Sequence, residues 1–195
     1  MNKKMTLQQY RNIDLTILLL VLLATQFATH LAATRWFADQ LYVVSPLAAV
    51  TAIVMMRWGW WAAIHAFAGG LFFTAISGGQ WQQYVIYGIG NLLCMPVVWC
   101  VLKYGKERIR KDSFLSGVMG LSVQLLMMCG RALMAAILGY GWNVCIRFIT
   151  TEILSVLFTL IIIGVVRKCD GLFEDQKMYL LRINREHKSE GRERF

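Results

Sequence analysis

Arg131 and Glu152 are the charges buried deepest in apolar sequence, and their placement sets what chemistry this chain could do. A charged side chain inside a bilayer-length apolar run costs roughly 3 kcal/mol on insertion scales, so one that is kept is a functional candidate. Arg131 precedes and Glu152 follows the turn Gly139, Tyr140, Gly141, Trp142, which joins two such runs. At 1.5 Å per residue both fall roughly 10 to 14 Å below that turn, so they can meet across a hairpin. Two uses of the meeting are open. One is a structural ion pair in which two charges share a low-dielectric site. The other makes the pair, or one freed member, the polar floor of a ligand pocket. Gln124, Met128, Arg131 and Ala135 follow a 4-3-4 spacing, which puts Gln124 on the same face, expected to look inward. Arg147 lies five positions before Glu152 and therefore on a different helix face, which argues against an intrahelical salt bridge between them. A pocket with two guanidinium groups nearby would suit a carboxylate or phosphate. Trp81, Tyr140 and Trp142 lie in uncharged, glycine-bearing loops above these arginines. They serve either as interfacial anchors or as a lid that stacks on a planar ligand.

The elements that must position these residues are membrane helices. Of 195 residues, 57% are hydrophobic and 16% charged, with mean hydropathy +0.52, too apolar for a soluble domain. Apolar runs are expected to form spans over about 15–37, 84–102, 114–138 and 143–166. The run 41–77 is too long for one helix in a core about 30 Å thick, so it is expected to be a hairpin turning at Arg57, Trp58 and Gly59. Between spans one and two the chain is expected to turn through Ala38, Asp39 and Gln40, with Arg35 and Asp39 forming a surface pair. With that topology, all of the 20 Lys and Arg except Arg35, Arg131 and Arg147 fall on one side, which by the positive-inside rule is the cytoplasm. The expected fold class is all-α: a polytopic membrane protein with six transmembrane helices in one bundle, comprising residues 1–167, and both termini cytoplasmic. Residues 168–195 form a basic cytoplasmic tail. Leu172, Phe173, Gln176, Tyr179, Leu180 and Ile183 have roughly helical spacing there, as in a short interfacial helix.

The net charge of +9 is accounted for by insertion topology and anionic lipid, so no nucleic acid is expected as a partner. Five cysteines without CxxC spacing, four of them within apolar runs, read as small core residues. His30 and His65 lie toward opposite ends of their spans and cannot share a metal. No HExxH, Walker phosphate loop, GxSxG or paired acidic motif occurs, so neither hydrolysis nor ATP binding is supplied. The chain is expected not to be an enzyme and to need no cofactor. Any uphill transport would draw its energy from another protein.

Six spans in under 200 residues, with basic inward loops and no nucleotide site, resemble the substrate-binding S component of energy-coupling factor transporters. Span one adds Ala24, Ala28 and Ala32, an AxxxA stripe similar to the one with which that family docks on its coupling subunit. Here the stripe lies in the middle to outer part of the span rather than its cytoplasmic half. The tail segment DGLFEDQKMYLL also looks like tails of that group. The resemblance implies a bacterial plasma-membrane location and capture of a vitamin, vitamin precursor or similar micronutrient in the outer half of the bundle. It also implies a transmembrane coupling subunit and two cytoplasmic ATPases as partners. The residues it would assign to solute are Arg131, Arg147, Glu152, Asn143, Trp142, Trp81 and Gln124. A non-catalytic membrane scaffold of a cell-shape or wall-synthesis complex is the alternative. It predicts a dry core, with Arg131 and Glu152 fully paired and no outward cavity.

Overall fold

The computed structural model describes residues 6–36 and 44–192, with backbone alone at 184 and 186–192. Apolar sequence that cannot bond its backbone to water must satisfy it internally, and among the described residues every regular element is helical. The elements are α1 (Leu7–Trp36), α2 (Leu47–Trp58), α3 (Ala62–Ile76), α4 (Trp81–Asn91), α5 (Val97–Tyr104), α6 (Lys106–Lys111), α7 (Ser113–Ile137), α8 (Trp142–Thr150), α9 (Ile153–Val166) and α10 (Gln176–Arg192). Short 3-10 turns, Gly59–Trp61 and Leu92–Cys94, join α2 to α3 and α4 to α5.

Five helical segments are long and apolar enough to cross a membrane: 7–36, 47–76, 81–104, 113–137 and 142–166. The second folds back as expected. Gly59 ends α2 at φ +64°, a backbone conformation that favours glycine, and donates its N–H to the Met55 carbonyl. A Cβ placed on Gly69 of α3 would lie 2.5 Å from Leu47 Cδ1 at the start of α2, so the two arms run side by side. The arms have 12 and 15 residues, about 18 and 23 Å of helix, short of the roughly 30 Å hydrocarbon core. Each arm is shorter than any of the other four segments, and with 47–76 taken as one stretch the count by length and composition is five where the sequence suggested six. The expected turn at 38–40, and with it Asp39, lies outside the described residues.

Helix α7 is the centre of the bundle and packs against α2, α4, α8 and α9. Asp112 starts it, its side chain accepting from the Phe114 and Leu115 N–H groups at 2.8 and 3.3 Å. Gly130 and Gly90 let α7 and α4 cross with their backbones in contact. A Cβ on Gly130 would collide with the Gly90 carbonyl oxygen, and one on Gly90 would lie 2.9 Å from Arg131 Cα. That crossing fixes Arg131 beside α4. Gln124, Met128, Arg131 and Ala135 are all buried, the inward face expected from their spacing. By contrast α1 is held lightly, with only Leu15, Leu22 and Gln26 buried among its 30 residues.

One end of the bundle collects the basic segments. Asp14 of α1 receives Arg57 Nε and Nη2 at 2.9 and 2.6 Å and Trp58 Nε1 at 2.6 Å. Arg57 Nη1 donates onward to the Gly171 carbonyl at 2.5 Å, and Lys106 pairs with Asp175 at 2.6 Å. Phe173 is wholly buried. Helix α10 begins at Gln176, so Gln176, Tyr179, Leu180 and Ile183 lie in a helix as their spacing suggested, while Leu172 and Phe173 lie in an inserted loop ahead of it. Cys94 and Cys145 are buried, while Cys100, Cys129 and Cys169 are exposed.

Candidate functional site

The polar centre lies where α7, α4, α9, α2 and α1 converge, away from the basic end. Arg131 on α7 and Glu152, just before α9, form a two-pronged ion pair: Nη2 donates to Oε2 at 2.6 Å, and Nη1 meets Oε1. Both residues are buried. Arg131 Nε donates to the Met127 carbonyl at 3.2 Å, and its guanidinium carbon lies 5.3 Å from the Tyr87 ring centroid. Glu152 also accepts from Gln124 Nε2 at 3.1 Å, and Gln124 in turn accepts from Thr159 Oγ1 at 3.3 Å. The pair is thus embedded in a satisfied chain of hydrogen bonds, the condition under which buried charges are tolerated.

Both helices beside Arg131 are interrupted at its level. The segment 81–104 tightens into the 3-10 turn Leu92–Cys94, and a Cβ on Gly130 would lie 2.8 Å from Leu93 Cβ. The segment 142–166 breaks at Thr151 and Glu152, where Glu152 has φ −101° and ψ 13°. The break puts the carboxylate at the N-terminal end of α9, whose dipole favours negative charge. Non-helical backbone at such depth is tolerated where protein buries it or where it lines a cavity. Here the break at Glu152 lines a crevice that it forms with Gln26, Ser45, Leu47, Phe73, Tyr87 and Arg131. The crevice has about 10 Å³ open to the centre of a water molecule, room for roughly one.

Gln26 of α1 is the exception in this satisfied setting. It is 2% exposed, and neither its Nε2 nor its Oε1 has a hydrogen-bond partner. Gly69 of α3 lies beside it, where a Cβ would be in ordinary contact with Gln26 Oε1 at 3.6 Å. Above the pair, Tyr87 contacts Phe73 at 5.1 Å and Phe148 at 5.8 Å between centroids, an aromatic wall. Ser45 N–H donates to Ser155 Oγ at 3.0 Å, tying the start of α2 to α9.

Of the residues singled out in the sequence, Arg131, Glu152 and Gln124 come together. Arg147, Asn143 and Trp142 are exposed on α8, whose one buried residue is Cys145, and Trp81 is exposed at the start of α4. None of these four lines the crevice. Arg147 therefore adds no second guanidinium there, and the charge of Arg131 is matched by Glu152. Ala24 and Ala28 are exposed along α1 and Ala32 is half-buried. Gln26, Tyr87 and Phe73 were not anticipated. A lone amide inside an apolar run was the signal available for Gln26. Among the described residues, no group of three or more His, Cys, Asp or Glu could hold a metal. Comparison with protein-family models, curated proteins and solved structures finds no match for this chain.

Proposed function

We propose that this chain is the substrate-capture subunit of an energy-coupling factor type importer, taking up a vitamin-like micronutrient across a bacterial plasma membrane. In this reading both arms of the 47–76 hairpin count as spans, giving six, and the basic end with both termini is cytoplasmic. The chain is not an enzyme. A separate transmembrane coupling subunit and two ATPases supply the energy.

The observation that carries the reading is the Gln26 amide, buried beside the Arg131–Glu152 pair with no partner for either polar atom. An unmet buried amide costs roughly 1–3 kcal/mol. A binding site meets such an amide with solute, and Gln26 is the side chain lining the crevice with neither polar atom partnered. The two interrupted helices at the same level give further support, because substrate sites in membrane transporters are commonly built from discontinuous helices. The lightly held α1, with Ala24 and Ala28 exposed, supports a docking face for the coupling subunit.

A membrane scaffold is the second reading, and the closed ion pair and small crevice favour it, since a dry core is what a scaffold requires. Affinity purification of the tagged chain from its native membrane separates the two. Recovery of two ATPases and one coupling membrane protein in fixed ratio supports capture. Recovery of cell-shape or wall-synthesis proteins without any ATPase overturns it.

A further inference from the structure

We propose that the crevice recognises an uncharged planar solute whose edge presents a hydrogen-bond donor beside an acceptor, as lactams, ureides and aminopurines do. The proposal rests on the capture reading and names the class of solute. It follows from which polar groups are spent and which are left. Arg131 gives three of its donors to Glu152 and the Met127 carbonyl and sets its face against Tyr87. Glu152 is occupied by Arg131 and Gln124. An anion at the two N–H groups that Arg131 has left would set a second negative charge beside the buried Glu152 carboxylate, and one that displaced Glu152 would strand it, both strongly unfavourable.

Among the residues lining the crevice, Gln26 is the side chain with neither polar atom partnered, its N–H donor and carbonyl acceptor side by side. A planar edge of opposite pattern takes both atoms at once, as Gln does when it reads the donor and acceptor of adenine. Tyr87 and Phe73 line the same crevice and supply flat apolar contact for the ring behind that edge. The crevice has room for about one water, so a solute needs one wall to move. The wall that carries Gln26 is α1, held by three buried residues.

The test uses the full chain purified in mild detergent, as wild type and as Gln26→Leu. Retained small molecules are released by denaturation and identified by mass, and the ligand-free melting temperature is measured. The expected result is roughly one neutral donor–acceptor heterocycle per wild-type chain, lost at least tenfold in Gln26→Leu. Removing an unmet amide should also raise the melting temperature of the ligand-free variant by about 3 °C. Retention of an anion, retention of nothing, or equal retention by Gln26→Leu overturns the assignment, as does a lower melting temperature for the variant. An anion retained by wild type and lost in Arg131→Ala would remove the solute class while leaving capture intact. Nothing retained, together with no ATPase in the native complex, would remove both.

Discussion

Truncating Arg131 to Ala would leave the Glu152 carboxylate buried with Gln124 as its remaining side-chain donor. We expect that to cost about 3–5 kcal/mol, the penalty for stranding one member of a buried pair. Replacing both, as Arg131→Met with Glu152→Leu, removes the stranded charge and should restore the melting temperature to that of wild type or above. The capture reading predicts that the double variant folds and inserts yet takes up no solute. Full uptake by the double variant, measured in cells beside its melting curve, would reduce the pair to a packing element. Much of this residue scale was legible, because a charge in an apolar run is conspicuous and the 4-3-4 spacing put Gln124 on the face of Arg131. The assignment of α8 was less so. Continuous helical phase already sets Arg147 and Asn143 well away from the face of Glu152, and α8 buries only Cys145, so Arg147, Asn143 and Trp142 lie at the surface.

At the scale of elements, the crossing of α4 on α7 decides where Arg131 and Tyr87 meet, and it depends on two glycines in backbone contact. Gly130→Ala would drive a methyl into the Gly90 carbonyl and the Leu93 side chain, neither of which can yield without moving α4. The expected loss is about 1–3 kcal/mol, the usual cost of overpacking. Gly164→Ala in α9 is the matched control, since a Cβ there meets nothing within 4 Å. Equal melting temperatures for the two would show that the crossing is looser than its geometry implies. Ala28→Leu probes a different surface. Ala28 is exposed on a helix that buries little of itself, so the isolated chain should melt unchanged while co-purification of the coupling subunit falls. Assembly at wild-type level would leave the alanine stripe without a docking role. The hairpin in 47–76 could be read from sequence because its length exceeds one span and Gly59 supplies the reversal. The shortness of its arms could not, since helix ends depend on capping and on tertiary contacts that spacing does not encode.

Across the whole molecule, the tail residues ahead of α10 act as a latch joining the first two helices to the basic end. Phe173 is fully buried, the Gly171 carbonyl receives both Arg57 and Gln176, and Gln176 accepts from Tyr10 of α1. Asp14 completes the latch from α1 by neutralising Arg57. From sequence, Leu172 and Phe173 read as the start of a short interfacial helix, because they extend a helical spacing that the chain adopts only from Gln176 on. Its contacts predict more than a frayed end. Phe173→Ala should cost about 3–5 kcal/mol, as for other fully buried aromatic side chains. Asp14→Ala leaves the Arg57 guanidinium with carbonyl partners alone and should cost a similar amount. The two losses should not add, because Phe173 holds in place the same loop whose Gly171 carbonyl anchors Arg57. If the latch is one cooperative unit, the double variant loses at least 0.5 kcal/mol less than the sum of the singles, the lower end of coupling between residues in one network. Strict additivity in a double-mutant cycle on melting would instead make the tail and the Asp14–Arg57 pair independent attachments. Under coupling, α1 is fixed firmly at Asp14 and lightly beyond Leu22, so its far half, carrying Gln26, is the part free to swing from the crevice.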